Sequence, residues 1–207
     1  MEPENATQSA PTPKLQVIIG STRPGRAGAA VGQWFFELAS KHDRFEVELL
    51  DLAEINLPLL DEPHHPRLGR YEHEHTRRWS ELISAGKAYV FVVPEYNHGY
   101  NAATKNALDY LCNEWRGKPV GFVSYGARAG GVRSVQMLIQ VVSSLGMLPT
   151  TGSVSIPQIR HRLSADGGAF VPDTGNEDAA EALLAELHRW VTNLVGLPEP
   201  AASPRRR

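Results

Sequence analysis

Two near-continuous apolar runs, Ala88–Pro94 and Val120–Gly126, constrain the fold of this chain more than any other feature. Apolar runs of this length without alternation are typical of parallel strands that helices cover on both faces. Leu15–Gly20 is a third such run, whereas Phe45–Leu52 begins with strict apolar/polar alternation, as in a strand with one wet side. Met147–Ile156 is a weaker strand candidate.

Helical periodicity fills the intervals between these strands. Mostly apolar residues spaced i, i+3, i+4 and i+7 indicate helices across 31–38, 104–111 and 135–142, with a longer stripe across 183–194 and a shorter one across 79–83. Alternating strands and helices form a parallel sheet covered on both faces, and a half-polar second strand belongs at its edge. We therefore predict an α/β, flavodoxin-like three-layer sandwich with a five-stranded parallel sheet in the order 2-1-3-4-5.

The length and charge of the chain limit its organisation and partners. Its 207 residues predict one domain across 14–197, between flexible proline-rich tails at 1–13 and 198–207. The 21 basic and 23 acidic residues give a formal charge of −2, which argues against a nucleic-acid partner. No apolar run approaches the ~18 residues of a membrane span, and no secretory signal is present. One cysteine, Cys112, excludes a disulfide framework, so we expect a cytoplasmic protein without a membrane partner.

The loop after the first strand, residues 20–28, has the chemistry of an anion site, and we call it the phosphate loop. A helix N-terminus exposes free N–H groups and the positive end of the helix dipole, and it therefore binds phosphate. Hydroxyl and guanidinium groups in this loop add hydrogen-bond donors and positive charge. The predicted binding set is Gly20, Ser21, Thr22, Arg23, Arg26, Ala27 and Gly28.

Two other phosphate-binding motifs do not fit this loop. A Walker A loop needs Gly-Lys-Ser/Thr, and no lysine occurs between Leu15 and Ser40. A dinucleotide fingerprint needs G-x-G-x-x-G, whereas the glycines here follow G-x-x-x-x-G-x-x-G. The remaining alternative is an ordinary helix start with solvent-facing arginines.

The loop after the third strand, residues 95–100, suits a flat, heteroatom-rich ring, and we call it the ring loop. Pro94 ends the strand, and the next helix is predicted to begin near Asn101. Backbone groups and the Asn97 amide can pair with a ring edge, while Tyr96 and Tyr100 offer flat apolar contact.

Four motifs together make the chain resemble the NADPH-dependent FMN reductase family of flavodoxin-like proteins, which includes quinone, azo-dye and chromate reductases. The motifs are GSTRPGR at 20–26, PEYNHGY at 94–100, KNALD at 105–109 and SYG at 124–126. The resemblance covers roughly Lys14 to Gly196. It implies that 14–197 is an FMN-binding domain.

The resemblance also implies a role for each motif. Ser21, Arg23, Arg26 and the following amides would hold the FMN phosphate. The isoalloxazine ring would be lined, mostly through the backbone and the Asn97 side chain, by Pro94, Glu95, Tyr96, Asn97 and Gly99. Its pyrimidine end would be bordered by Ser124, Tyr125 and Gly126. For Lys105, Asn106 and Asp109, a solvated or capping helix face and a direct ligand contact both remain open.

One departure concerns the start of the helix after the ring loop. Many members of the family have a proline at the position of Asn101 and an apolar residue at the position of Thr104. We therefore expect the fine shape of the substrate pocket to differ here.

The implied function is an FMN-dependent NAD(P)H oxidoreductase. Hydride would pass from NADPH or NADH to the flavin, and then to a quinone, azo, metal-oxyanion or free-flavin acceptor. No catalytic side chain is required, and the resemblance implies a homodimer or homotetramer. The alternative is a non-catalytic flavodoxin-like electron carrier or partner-binding module.

Several residues outside these motifs need an interpretation. His64, His65, His73 and His75 lie in the connection 61–78, but their spacing matches no standard zinc pattern, so no metal site is predicted. His73 and His75 suit one face of a strand better than one of a helix, and we interpret the connection as a surface loop that partly covers the active site. We place Cys112 on the 104–111 helix, and we interpret Trp115 and the 71–79 aromatics as either interface or core residues.

Overall fold

A computed structural model describes residues 11–194 of the chain. The predicted tail at 198–207 and most of the one at 1–13 lie outside the described residues. The strands are β1 Lys14–Ile19, β2 Glu46–Asp51, β3 Ala88–Pro94, β4 Pro119–Tyr125, β5 Leu148–Pro149 and β6 Val154–Ile156. The helices are α1 Gly28–Ser40, α2 Leu52–Ile55, α3 Glu74–Ala85, α4 Ala102–Asp109, α5 Val132–Ser144 and α6 Thr174–Leu194, with 3-10 turns at Pro66–Leu68 and Ile159–Arg162.

The strands form one parallel sheet in the order β2-β1-β3-β4-β5, which confirms the predicted topology. The half-polar strand β2 lies at one edge and pairs only with β1 among the described strands. Strands β1, β3 and β4 are central, and β3 and β4 are buried along their whole length. The carboxyl ends of β1, β3 and β4 therefore lie side by side, which brings the loops that follow them together.

The predicted fifth strand is present but interrupted. Its two parts, β5 and β6, both pair with β4, so they occupy one strand position. Between them the chain leaves the sheet at Thr151 and Gly152, whose backbone N–H groups donate to the Glu186 carboxylate at 3.0 and 3.3 Å. A side chain of α6 thus accepts hydrogen bonds that a regular strand would have made in the sheet.

Two apolar clusters cover the two faces of the sheet. One contains Val31 and Phe35 of α1 with Leu183 and Leu187 of α6. The other is formed by residues of α3, α4 and α5 around Trp115. The result is the predicted three-layer sandwich, in which the helical stripes pack on the sheet.

The structure corrects one local expectation and decides between the alternatives of another. Helix α4 ends at Asp109, so Cys112 lies beyond the helix and not on it. Trp79 and Trp115 are 1% and 0% exposed and pack edge to face, so they are core residues of the chain. Among the described residues, no helix combines the length and apolar character needed to cross a bilayer.

Candidate functional site

The loop from Gly20 to Ala27 connects β1 to the first turn of α1. Ser21 is buried, whereas Thr22 and Arg23 are exposed at the carboxyl edge of the sheet. Gly25 has a φ of +66° and faces open space, since a Cβ built on it meets nothing within 4 Å. Glycine is suited to this left-handed conformation, and the loop leaves room beside its backbone for a ligand.

Arg26 has a partner that the sequence did not reveal. Its guanidinium forms a close ion pair with Asp51 at the end of β2, and both side chains are mostly buried. The second oxygen of Asp51 accepts the N–H of Ala53 at 2.9 Å and so caps α2. Arg26 is therefore held by a carboxylate beside the loop, with its Nε atom buried and without a partner among the described residues.

The ring loop folds back on itself in a two-residue turn. Tyr96 and Gly99 exchange backbone hydrogen bonds of 2.9 and 3.0 Å. Between them, Asn97 and His98 have φ values of 51° and 71°. Two consecutive left-handed residues define a type I′ turn, which is tight and costs conformational energy outside glycine. The turn fixes the Asn97 side chain on an exposed, rigid tip.

The side chain of Glu95 is directed away from this tip. Its carboxylate accepts a 2.6 Å hydrogen bond from the Arg133 guanidinium and one from the Arg133 backbone N–H at the start of α5. The Glu95 side chain is only 10% exposed, so this contact fixes one end of the loop. A role for the Glu95 backbone in ligand binding stays a prediction.

The loop after β4 is packed tightly over Ser124. The Ser124 hydroxyl donates to the carbonyl of Gly130 at 2.9 Å. Gly131 has a φ of +89°, and a Cβ there would lie 2.6 Å from the Ser124 Cβ. Only glycine permits this close approach, so Ser124 is enclosed and cannot project freely toward a ligand.

The hydroxyl of Tyr125 lies beside Gly28, at the end of the loop after β1. The resemblance implies that Tyr125 borders the pyrimidine end of the ring, and that role stays a prediction. A Cβ built on Gly28 would lie 2.5 Å from this hydroxyl. The phenol is buried, and burial raises the pKa of Tyr125. Among the described residues no hydrogen bond within 3.5 Å reaches this hydroxyl. The Ser21 hydroxyl lies near enough to oppose the rise in this pKa but is bonded to Tyr96.

Direct hydrogen bonds connect the three loops. Ser21 shares one of 3.0 Å with the Tyr96 hydroxyl, joining the phosphate loop to the ring loop. The N–H of Glu95 donates to the carbonyl of Tyr125 at 3.0 Å, joining the ring loop to the loop after β4. The sequence-predicted residues are thus brought to one edge of the sheet.

A buried polar bridge of Asn101 and Thr104 reinforces the first of these connections. The Asn101 amide donates to the carbonyl of Gly20 at 2.6 Å, and the Thr104 hydroxyl donates to the Asn101 amide oxygen at 2.9 Å. These are the two positions where the resemblance implies a departure from many members of the family. Gly20 fits closely here, because a Cβ on it would lie 2.2 Å from the Thr104 hydroxyl.

The KNALD motif organises neighbouring structure. Lys105 pairs with Asp109 on the same helix at 2.7 Å. Asn106 donates to the carbonyl of Pro58 at 2.6 Å and accepts the N–H of Leu60 at 2.9 Å. These two bonds fix the segment 58–60 against α4. A cavity of about 420 Å³ lies between Thr22, α2 and α4 beside the phosphate loop.

The histidine-rich connection forms local contacts. His73 and His75 lie at the start of α3, and their rings stack at 5.2 Å, so the strand geometry expected for them is wrong. His75 contacts Asp61 at 3.0 Å, and His64 contacts Glu72 at 3.1 Å. Within residues 11–194, no group of three or more His, Cys, Asp or Glu side chains is arranged to hold a metal ion.

The phosphate loop fits an anionic cofactor such as FMN by its donor chemistry. Two buried donors beside it, Arg26 Nε and the Tyr125 hydroxyl, have no acceptor within the described part of the chain. A buried donor without an acceptor is costly, and a phosphate oxygen is a strong acceptor. Asp51, the carboxylate that contacts Arg26 of the loop, is neutralised by that ion pair.

Proteins similar in sequence to this chain are described as FMN reductases. The model of the NADPH-dependent FMN reductase family matches residues 13–161. The NAD(P)H-dependent FMN reductase of Schizosaccharomyces pombe is 40% identical over 151 residues, covering 71% of this chain and 75% of that protein. The enzyme of the same description from Nectria sp. is 39% identical over 145 residues, covering 66% of this chain and 72% of that one.

A solved structure extends the likeness to the fold. FerB, a flavoenzyme NAD(P)H:(acceptor) oxidoreductase from Paracoccus denitrificans, superposes with a TM-score of 0.69 at 22% identity, covering 87% of this chain and 98% of FerB. The matched family region includes all four motifs and all three loops of the site. The chain belongs to the NADPH-dependent FMN reductase family.

Proposed function

We propose that this chain is an FMN-dependent NAD(P)H oxidoreductase whose cofactor lies across the three loops described above. The FMN phosphate is held by residues 20–28, and the ring lies against residues 94–99 and 124–126. The observation that carries this assignment is the hydrogen bonding that joins these loops at one edge, through Ser21 to Tyr96, Asn101 to Gly20 and Glu95 to Tyr125.

At the phosphate end, the residues provide positive charge and fixed donors. Arg23 is exposed at the loop and has no acidic partner among the described residues, so it is available to a phosphate. Arg26 is oriented by Asp51, and the Tyr125 hydroxyl lies beside Gly28 at the start of α1. A preorganised set of donors binds an anion without the cost of rearrangement.

At the ring end, the rigid turn provides backbone groups. Tyr96 to Gly99 is closed by two backbone hydrogen bonds, which leaves the Asn97 amide and the neighbouring peptide groups free to pair with a ring edge. FMN, when bound, supplies the site that accepts and donates hydride. The protein binds and orients the ring and leaves one ring face to the nicotinamide and then to the acceptor.

The acceptor, the assembly and the location form part of the same proposal. A quinone, azo compound, metal oxyanion or free flavin is the expected acceptor, because each can take electrons from a reduced flavin at an open site. The resemblance to the family supports a homodimer or homotetramer. A single cysteine, which allows no disulfide within the chain, supports a cytoplasmic protein.

The test is a titration of flavin-free protein with FMN and with riboflavin, followed by quenching of flavin fluorescence. Replacing Arg23 by Ala should weaken FMN binding by about 1.5–3 kcal/mol, the range for a hydrogen bond to a charged group, and leave riboflavin binding unchanged. Arg189→Ala, which removes an exposed arginine on α6, is the matched control. Equal affinity for FMN and riboflavin in the native chain would refute the phosphate loop.

Steady-state oxidation of NADPH and NADH with a quinone then separates an enzyme from a carrier. Turnover that depends on added FMN supports the proposal. An FMN-loaded protein that does not oxidise either nucleotide would instead be a flavin-binding module.

A further inference from the structure

An exposed basic surface adjoins the ring end of the site. It is formed by two segments, the loop 126–131 after β4 and the turn 157–161 after β6. Backbone hydrogen bonds join them: Gln158 N–H to Ala127 C=O at 2.6 Å, Ile159 N–H to Gly126 C=O at 3.1 Å and Gly126 N–H to Ile156 C=O at 3.2 Å. The two segments are therefore one continuous surface at the carboxyl edge of the sheet.

Each segment carries an exposed arginine. Arg128 lies in the first segment and Arg160 in the second, and His161 follows Arg160. Neither arginine has a hydrogen bond or acidic partner among the described residues. The chain as a whole has a formal charge of −2, so this local excess of positive charge is not a general property of its surface.

Two neighbouring arginines, Arg133 and Arg162, differ from Arg128 and Arg160 because they have partners in the described part of the chain. Arg133 is paired with Glu95, and Arg162 donates to the Asp173 carboxylate at 2.8 Å and to the Val171 carbonyl. Those two guanidiniums hold loops in place. Arg128 and Arg160 stand next to them without such a role, which leaves all of their donors available to an external anion.

The backbone beneath the two arginines is rigid. Gln158 has a φ of 53°, and Gly130 has a φ of +59° in a position where a Cβ would lie 2.3 Å from the Ser155 hydroxyl. Ser155 also donates to the carbonyl of Gly130 at 3.1 Å. The charged side chains thus project from a fixed platform, which reduces the entropy lost when they bind a ligand.

The position of this surface relates it to the nucleotide. Arg128 follows Gly126 by two residues, and a Cβ built on Gly126 would lie 3.4 Å from the Glu95 Cβ of the ring loop. A dinucleotide whose nicotinamide stacks on the flavin must lay its remaining groups over protein beyond the ring. On the side of the loop after β4, that protein is the surface that carries Arg128 and Arg160.

We propose that Arg128 and Arg160 bind the 2′-phosphate of NADPH and make this chain select NADPH over NADH. The inference rests on the proposed function, because it places the nicotinamide at the flavin. The 2′-phosphate is the group that distinguishes the two donors, and guanidinium binds phosphate oxygens through two parallel hydrogen bonds. The ribose of NADH offers only a neutral hydroxyl at this position.

The test uses 2′,5′-ADP and 5′-AMP as probes of the adenylate half, titrated calorimetrically into FMN-loaded protein. We expect tighter binding of 2′,5′-ADP. Arg128→Ala and Arg160→Ala should each raise its Kd about three- to tenfold, as for partly exposed charge-assisted contacts, and the double variant should raise it further. Binding of 5′-AMP should change less than twofold in all three variants, because 5′-AMP has no 2′-phosphate and exposed charges contribute little at longer range.

Arg189→Ala is the matched control, since Arg189 is an exposed arginine on α6, away from the carboxyl-edge loops. It removes the same charge and should leave 2′,5′-ADP binding unchanged. In steady-state assays, the double variant should raise the KM for NADPH and leave that for NADH unchanged. The KM difference should shrink at high salt, because screening weakens exposed charge pairs.

Two outcomes would overturn the inference: equal affinity of the native chain for 2′,5′-ADP and 5′-AMP, or a double variant that binds 2′,5′-ADP like the native chain. FMN affinity, measured in the same variants by fluorescence quenching, is expected to stay unchanged. The titration with 2′,5′-ADP and 5′-AMP is also carried out on flavin-free protein. Failure to bind FMN then refutes the proposed function, and it does so independently of whether the two arginines bind 2′,5′-ADP.

Discussion

Replacing Asn101 by Ala should both destabilise the fold and weaken FMN binding, because Asn101 joins the phosphate loop to the helix after the ring loop. Its side chain is buried, donates to the carbonyl of Gly20 at 2.6 Å and accepts from Thr104 at 2.9 Å. Without the amide, the Gly20 carbonyl is left without that partner, whereas the Thr104 hydroxyl can rotate toward the carbonyl of residue i−3 or i−4, which is residue 101 or Tyr100.

The expected magnitude follows from these two bonds. One buried acceptor without a partner costs about 1–3 kcal/mol, and the small void left by the truncated side chain adds about 1 kcal/mol. We therefore expect the free energy of unfolding to fall by about 2–4 kcal/mol. Because Gly20 begins the phosphate loop, the Kd for FMN should rise about tenfold, equivalent to about 1.4 kcal/mol.

The assay is urea unfolding of the flavin-free protein, which avoids stabilisation by bound ligand, with FMN titration in parallel. Thr104→Val is the control, since it removes one bond and keeps the contact to Gly20; it should cost about 1 kcal/mol and leave FMN binding nearly unchanged. Asn101→Pro suits the observed φ of −80° and should recover about 0.4–1 kcal/mol relative to Asn101→Ala without restoring FMN affinity. Native stability and native FMN affinity in Asn101→Ala would refute the coupling of the two loops.

Three further predictions concern other buried polar groups. Asp51→Ala should lower the free energy of unfolding by about 3–5 kcal/mol, because it leaves the buried Arg26 charge unpaired, and Asp51→Asn should cost less in urea unfolding because it keeps the cap on α2. Burial, followed by the nearby Lys87 charge, lowers the pKa of Lys118 from 10.5 to about 8. Between these values the unfolded chain binds a proton that the folded chain does not, so this group makes stability rise with pH by up to about 3 kcal/mol. That rise should disappear in Lys118→Met, and an identical pH profile in both proteins would contradict the assignment. Tyr125→Phe removes a buried hydroxyl that makes no hydrogen bond among the described residues. The flavin-free protein should therefore keep its stability to within about 1 kcal/mol, while FMN should bind more weakly. Unchanged FMN binding would show that this hydroxyl does not face the phosphate.

The topology was predictable because the burial of each strand can be inferred from the residues of that strand alone. Runs such as 88–94 and 120–126 have one environment along their whole length, and the half-polar 45–52 run identifies an edge. The interrupted fifth strand was not predictable, since the break depends on Glu186, which lies 35 residues beyond Thr151. His73 and His75 were misplaced because their alternate spacing resembles a strand, whereas they lie at the start of a helix.

The meeting of the three loops at one edge of the sheet was predictable, but the contacts between them were not. Parallel sheets bring the carboxyl ends of their central strands together, so three loops could be named from the sequence. The ion pair of Arg26 and Asp51 and the bond from Asn101 to Gly20 join residues 25 and 81 positions apart. At Asn101 and Thr104, where the resemblance implies a proline and an apolar residue in many members of the family, the structure shows two polar side chains that bond to each other.

The interrupted fifth strand has a consequence for how copies of this chain can associate. A long, flat sheet edge invites another chain to add a strand and so begin aggregation. Here one edge consists of segments of two and three residues with Pro149 in the first, and the opposite edge, β2, carries Glu46 and Glu48. Short, proline-containing or charged edges resist strand addition. Stable self-association of this protein is therefore expected to use its helical faces, with each sheet remaining confined to its own chain.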